Sequence, residues 1–148
     1  MQVWRISNHA TLDGGGGLRA SARWHSKGRL IIYCAPNPAT ALLELLVHCE
    51  LEAGDLPIQY QLLKIDIPDD IPYETVAFDN LPADWRHNSS VTRQIGDAWL
   101  ASGRTVLLVV PSAIVPETDN ILIDPAHPDC RRIRIIGSLP GKLDERLI

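Results

Sequence analysis

An α/β (α+β) fold is what this chain predicts, and three observations predict it. Helix-length stretches with 3.6-residue apolar spacing are interleaved with short β-branched runs. One run, Thr105 to Val110, is apolar at every position after the first, as a strand covered on both faces must be. Asn37-Pro38 then joins a strand to a helix through a capping residue and a proline at the first helical position. With 148 residues the chain suits one domain, residues 1–148, with a sizeable core.

The elements follow in order. Gln2 to Ile6 reads as a first strand, with Val3, Arg5 and Ser7 on one side and Trp4 and Ile6 on the other. Arg5 there has two readings, an exposed edge position or a guanidinium directed into a polar cleft to hold an anion. Residues 8–17 form a loop ending in Gly14 to Gly17, with neither a GK[ST] ending nor GxGxxG spacing. The run predicts a flexible connector that lets Leu18 to Trp24 approach a ligand closely. Arg29 to Cys34 suits a buried strand, and Pro38 to Glu50 a helix whose apolar face is Ala41, Leu42, Leu45, Leu46 and Cys49. Glu44 and His48 lie on the border row of that face, either a solvated flank or the wall of a cleft.

Gly54 to Pro57 predicts a turn, and Ile58 to Ile67 a strand stopped by the turn at 68–72. Residues 73–89 read as a long irregular connection. Ser89 or Ser90 can cap a helix through Ala101, with Ile95, Ala98 and Trp99 inward and Gly103 past its end. Thr105 to Val110, Asn120 to Asp124 and Ile133 to Gly137 complete the strands, the last two joined by a turn from Pro125 to Cys130. The expectation is roughly six strands and two longer helices, without repeats or linkers.

Composition narrows the function classes. With 45% hydrophobic and 22% charged residues the chain is ordinary for a soluble globular protein. A net charge of -4 argues against a general nucleic-acid surface, although Arg19, Arg23, Lys27 and Arg29 gather locally. Cys34, Cys49 and Cys130 contain no CxxC and predict small thiols rather than disulfides or a zinc site. His25, His48 and His127 have no HxxxH or HExxH spacing, so no metal is expected. The absence of a signal peptide or an apolar span makes the cytoplasm the default.

Chemically useful side chains are densest between Arg23 and His48, which holds Arg23, Trp24, His25, Tyr33, Glu44 and His48. Arg5, Arg23, Tyr33, Glu44 and Ser112 all fall at strand ends or helix borders. Two arginines can hold a pyrophosphate by bidentate bonds, Tyr33 offers a face for a flat ring, and Glu44 could bind a ribose hydroxyl and stabilise a sugar cation. NAD is one ligand among several that would use them all. A serine hydrolase fits less well, because Ser112 lacks the GxSxG elbow and no His–Asp pair stands in an obvious relation to it.

Nearly the full length resembles the RES-domain family of bacterial toxins. The resemblance runs through VWRI (3–6), ARWHSKG (22–28), LIIYCAPNPATALLELLVH (30–48), IGDAWLASG (95–103) and VPSAIVPETDNILIDPAHPD (110–129). It implies a fold like that of the ADP-ribosyltransferases, NAD as the substrate, and no metal. The arginine, glutamate and serine that name the family map to Arg23, Glu44 and Ser112, with Arg5 and Tyr33 at further site positions. Asp124 departs from the asparagine that relatives commonly have in their NP-x-H segment. The implied activity is cleavage of the nicotinamide–ribose bond by hydrolysis or phosphorolysis. ADP-ribosyl transfer to a protein is the alternative, and a catalytically silent protein-binding module a second. The implied partner is a helix-turn-helix antitoxin of the Xre type, which would itself contact DNA, and the resemblance allows a homodimer within such a complex.

Overall fold

A computed structural model describes residues 1–51 and 59–147, with the side chains of residues 49–51 outside the description. The predicted turn at Gly54 to Pro57, the start of the strand at Ile58 and the burial of Cys49 therefore lie outside the described residues.

Seven strands and two helices make up the described chain, in a mixed α+β arrangement: β1 Gln2–Ile6, β2 Ile32–Cys34, α1 Pro38–Leu51, β3 Gln59–Asp66, β4 Tyr73–Thr75, α2 Ser89–Ser102, β5 Leu107–Pro111, β6 Asp119–Ile123 and β7 Arg134–Lys142. They form a three-stranded sheet, β1-β3-β7, and a four-stranded sheet, β2-β6-β5-β4. Mutual backbone hydrogen bonds between Trp4 and Ala35, of 2.9 and 2.8 Å, join β1 to the end of β2. That seam places Arg5 beside Tyr33.

The apolar run at β5 explains itself in the core. Leu107 packs in one cluster with Ile121 and Ile123 of β6 and Val3, Leu63 and Ile65 of the smaller sheet. Leu108 and Val110 point the other way, into a cluster with Leu122, Trp24, Trp85 and Trp99. The four-stranded sheet is thus covered on both faces, and alternation fails where both faces are dry. Burial of these side chains at about 25 cal/mol per Å² is the main force holding the layers together.

Several boundaries differ from the sequence expectation, β5 among them, which is Leu107–Pro111 rather than Thr105 to Val110. Residues 73–89 are not wholly irregular: β4 pairs in parallel with β5, and Trp85 is 1% exposed. β7 runs on to Lys142 because it pairs with β3 along its length. Ser89 is the first residue of α2 rather than its cap; Asn88 precedes it without a side-chain capping bond, and Ala98 is exposed. The glycine run, predicted as a flexible connector, is a packed short 3-10 turn, Gly15–Leu18, entered through Gly14 at φ 71°.

The turn from β2 into α1 forms as its sequence predicts, but the strand begins at Ile32 rather than Arg29, and Arg29 and Leu30 are exposed. The Asn37 side chain accepts from the Thr40 N–H at 2.8 Å, closing the N-terminus, and Gly103 ends α2 in the left-handed region at φ 61°.

Candidate active site

Glu44 projects from α1 toward the hairpin end of β5 and β6. Asn120 Nδ2 donates to Glu44 Oε1 at 2.8 Å, and Ser112 Oγ donates to the same oxygen at 3.3 Å. Ser112 has no other use for its proton. Its oxygen accepts from the backbone N–H groups of Ile114 and Val115, both at 3.1 Å, so both lone pairs are taken. The sole hydroxyl proton then faces the carboxylate. Two neutral donors on Oε1 orient the carboxylate, and among the described residues none donates to Oε2.

Register explains how strands deliver these groups. Asn120 is opposite Val110 in the β5–β6 ladder, and Ser112 follows Pro111 directly at the strand end. The Ser112 N–H closes the turn onto Thr118 O at 2.8 Å. Asn120 is the site residue that sequence reasoning passed over, reading it only as the start of a strand. Its signal was proximity in the ladder to Ser112, which needs the pairing register.

Tyr33 stands next to Glu44 with its hydroxyl pinned. It accepts from Trp24 N–H at 3.2 Å and lies 2.7 Å from His25 Nδ1. His25 Nε2 faces the Ala20 carbonyl at 2.9 Å, which can only accept, so Nε2 carries the proton and Nδ1 takes that of Tyr33. Burial at 2% exposure holds the imidazole below its ordinary 6.5, favouring this neutral form. Burial also pushes the Tyr33 phenol well above its ordinary value of 10, keeping it protonated. Tyr33 is therefore a flat, fixed wall and not a proton carrier.

Arg23 is set by α2. A Cβ at Gly96 would fall 1.6 Å from the Trp24 carbonyl oxygen, so only glycine lets the helix come this close. Thr92 Oγ1 donates to Arg23 O, and Arg93 Nε donates to Ala22 O at 2.8 Å. The Arg23 guanidinium donates to Arg86 O at 3.0 Å and lies 5.8 Å from the Trp85 ring centre. Arg5 takes the cleft alternative of its two readings: half-buried, it donates to Tyr33 O at 3.0 Å.

These groups line a cleft of two lobes. The larger, about 320 Å³, has Trp4, Arg5, Gly16 and Gly17 in its wall. The smaller, about 140 Å³, has Arg23, Trp24, Val110 and Pro111. Tyr33, Glu44, His48 and Asn120 border both. Four of the five predicted site residues, Arg5, Arg23, Tyr33 and Glu44, therefore line one cleft, the two arginines in different lobes with Glu44 bordering both; Ser112 is buried and meets the site through its bond to Glu44.

The remaining predicted groups lie elsewhere. Cys34 is a buried thiol whose pKa burial raises to about 12, and Cys130 is also free. Asp124 is buried and accepts from Ala126 N–H at 3.0 Å, so this turn closes on aspartate. His127 Nδ1 accepts from Asp129 N–H at 3.0 Å, a capping role. Among the described residues no group of three or more His, Cys, Asp or Glu converges, and no helix is long and apolar enough to cross a membrane.

The RES domain model matches residues 2–144. The chain belongs to the RES-domain family. Among similar RES proteins is "Toxin Res" of Pseudomonas putida, 44% identical over 138 residues that cover 91% of this chain and 92% of that protein. The "Prs ADP-ribosylating toxin" of a Sphingobium species is 40% identical, covering 98% of this chain and 95% of its own. The crystal structure of the M. tuberculosis MbcT–MbcA toxin–antitoxin complex contains a chain with a TM-score of 0.77, covering 95% of this chain and 84% of that one. At 16% identity that likeness establishes the RES fold.

Proposed function

We propose that this RES protein is the toxin of a toxin–antitoxin pair and consumes NAD by cleaving its nicotinamide–ribose bond. The observation that carries the reading is the setting of Glu44, which lines the cleft beside Tyr33 with Asn120 and Ser112 both donating to its Oε1. Relatives named as toxins cover nearly the whole chain and support the toxin role.

The chemistry follows from the charges. When the C–N bond breaks, its electron pair leaves with nicotinamide, which departs neutral and needs no general acid. Positive charge develops on the ribose as an oxocarbenium-like centre. Glu44 would meet it and hold a ribose hydroxyl, an interaction stronger in the transition state than in the ground state. Tyr33 would support the nicotinamide ring, and Arg23 would take a phosphate. The acceptor then adds to the anomeric carbon and loses its proton to solvent.

Water and phosphate are the acceptors of the primary reading. Transfer to a protein is favoured by one observation, the ADP-ribosylating relative at 40% identity over nearly the full chain. An Xre-type antitoxin would restrain the enzyme by covering the cleft, its acidic group meeting Arg5 or Arg23.

The deciding experiment is nicotinamide release from NAD by purified protein, with and without phosphate, beside Glu44→Gln. The variant keeps the shape and removes the charge. Release by the wild type and a loss of over about a hundredfold in Glu44→Gln, roughly 3 kcal/mol, is expected. Equal rates in the two proteins would end the role given to Glu44.

A further inference from the structure

Beside Arg23 of the smaller lobe stands a second cation, Arg86, to which the chemistry at Glu44 gives no role. Arg86 lies on the faces of two aromatic rings, 4.8 Å from the Trp85 ring centre and 5.6 Å from that of Phe78. Phe78 meets Trp85 edge-on at 6.2 Å and is itself 55% exposed. The backbone carbonyl of Arg86 holds the Arg23 guanidinium, so a continuous surface runs from the cleft through Arg23 and Arg86 to Phe78.

Charge on that surface is unbalanced. Neither Arg23 nor Arg86 has an ion pair among the described residues, unlike Arg29, Arg104, Arg132 and Arg146. Arg23 loses basicity first to its own burial, then to the cations of Arg86 and Arg93, against the pull of Glu44. Two guanidiniums held together by a carbonyl and a tryptophan, with no carboxylate between them, are favourable when an anion arrives. The planar fork suits phosphate oxygens.

Room points the same way. A cavity of about 320 Å³ accommodates one riboside with its ring, at the low end of the ~300–1,000 Å³ typical of ligand sites. The second nucleoside of a dinucleotide has to lie outside it. Arg5 is on the opposite side of Glu44 and already donates to the Tyr33 carbonyl.

We propose that the Arg23–Arg86–Phe78 surface is the subsite for the adenosine diphosphate half of the dinucleotide. The two guanidiniums hold the pyrophosphate and the adenine ring stacks at Phe78. This rests on the reading of NAD as substrate and names Arg86 and Phe78 as binding residues for it. The second cation on the pyrophosphate is then Arg86 and not Arg5.

ADP is the probe, titrated by calorimetry into the Glu44→Gln protein and into the same protein carrying Arg86→Ala, Arg86→Lys or Phe78→Leu. Arg86→Ala and Phe78→Leu should each weaken ADP binding by about tenfold, and Arg86→Lys by less, because it keeps charge but loses the planar fork. In the otherwise unchanged enzyme, Arg86→Ala should raise KM for NAD about tenfold, leave kcat within about twofold, and spare cleavage of nicotinamide mononucleotide, which lacks the adenosine half. Thermal melting of each variant reports the fold, and Arg86→Lys and Phe78→Leu carry the test if Arg86→Ala unfolds. Unchanged ADP affinity in the folded variants, or no ADP binding without them, overturns the subsite. Absence of nicotinamide release by the wild type overturns the NAD reading instead, so the two failures are distinct.

Discussion

Glu44 and Arg23 stand at two parts of one cleft and are held in contrasting ways. The carboxylate is oriented by side chains: Asn120 and Ser112, from one hairpin end, both donate to Oε1. The guanidinium is oriented by backbone and ring: the Arg86 carbonyl, the Trp85 face, and a helix packed so closely that position 96 admits no Cβ. The difference follows from the task each would have. A charge facing a reacting carbon gains from fixing one particular oxygen, which directed donors do. A charge facing a pyrophosphate needs several N–H groups free, and a carbonyl plus an aromatic face hold a guanidinium while occupying few of them.

The sharpest way to break the contrast is at the cation. Arg23→Ala should raise KM for NAD by roughly ten- to a hundredfold, the scale of a lost charge-assisted pair of about 1.5–3 kcal/mol. Arg23→Lys should recover only part of this, since an ammonium cannot present two parallel donors. Calorimetric affinities that are equal for the wild type and both variants would make Arg23 an ordinary packed residue.

A smaller effect is expected at the donors of Glu44. Ser112→Ala and Asn120→Ala should each lower kcat by about tenfold, with KM changing less, because each removes one hydrogen bond that orients the carboxylate. Asn120→Asp tests position against charge. It replaces the donor to Oε1 by a second carboxylate, and should lower kcat further than Asn120→Ala does. A kcat equal to that of the wild type would show that residue 120 does not orient Glu44.

What the sequence made legible, and what it did not, divides along the same line. The β2–α1 unit was readable because its signals are local: Asn37 caps within one turn, and Pro38 sits where no N–H is needed. Glu44 was readable as a border position on a helix. Ser112 and the arginines gained their place from the family resemblance. Asn120 was missed because its meaning lies in a cross-strand register, Val110 opposite Asn120, which no spacing along the chain encodes. The glycine run misled for a related reason. Its tight packing comes from Pro125 and Ile31, remote in sequence from Gly14, so composition alone suggests looseness. β4 is only three residues long and exists through its parallel partner.

The smallest expected effect belongs to His25, which links the two halves of the comparison by pinning Tyr33. Its ring faces Asp97, which favours the protonated form, and Arg93, which opposes it, while burial is the largest influence and depresses its pKa. The unfolded chain therefore binds the proton more readily than the folded one. Between the depressed folded value and the ordinary 6.5, stability rises with pH; it is fully present above 6.5 and is lost as pH falls through that window. Protonation would also turn Nδ1 into a donor and force the Tyr33 hydroxyl, already accepting from Trp24, to redirect its own proton. Thermal melts from about pH 8 down to about pH 5 should thus show a decline in the wild type that His25→Gln flattens. At the upper end of that range His25→Gln should melt about 2–4 °C lower, the equivalent of one hydrogen bond of about 1 kcal/mol. Its KM for NAD should rise while kcat holds, because Tyr33 loses its fixed plane but Glu44 keeps both donors. Parallel melting curves for the two proteins across the pH range would show that His25 does not carry this titration.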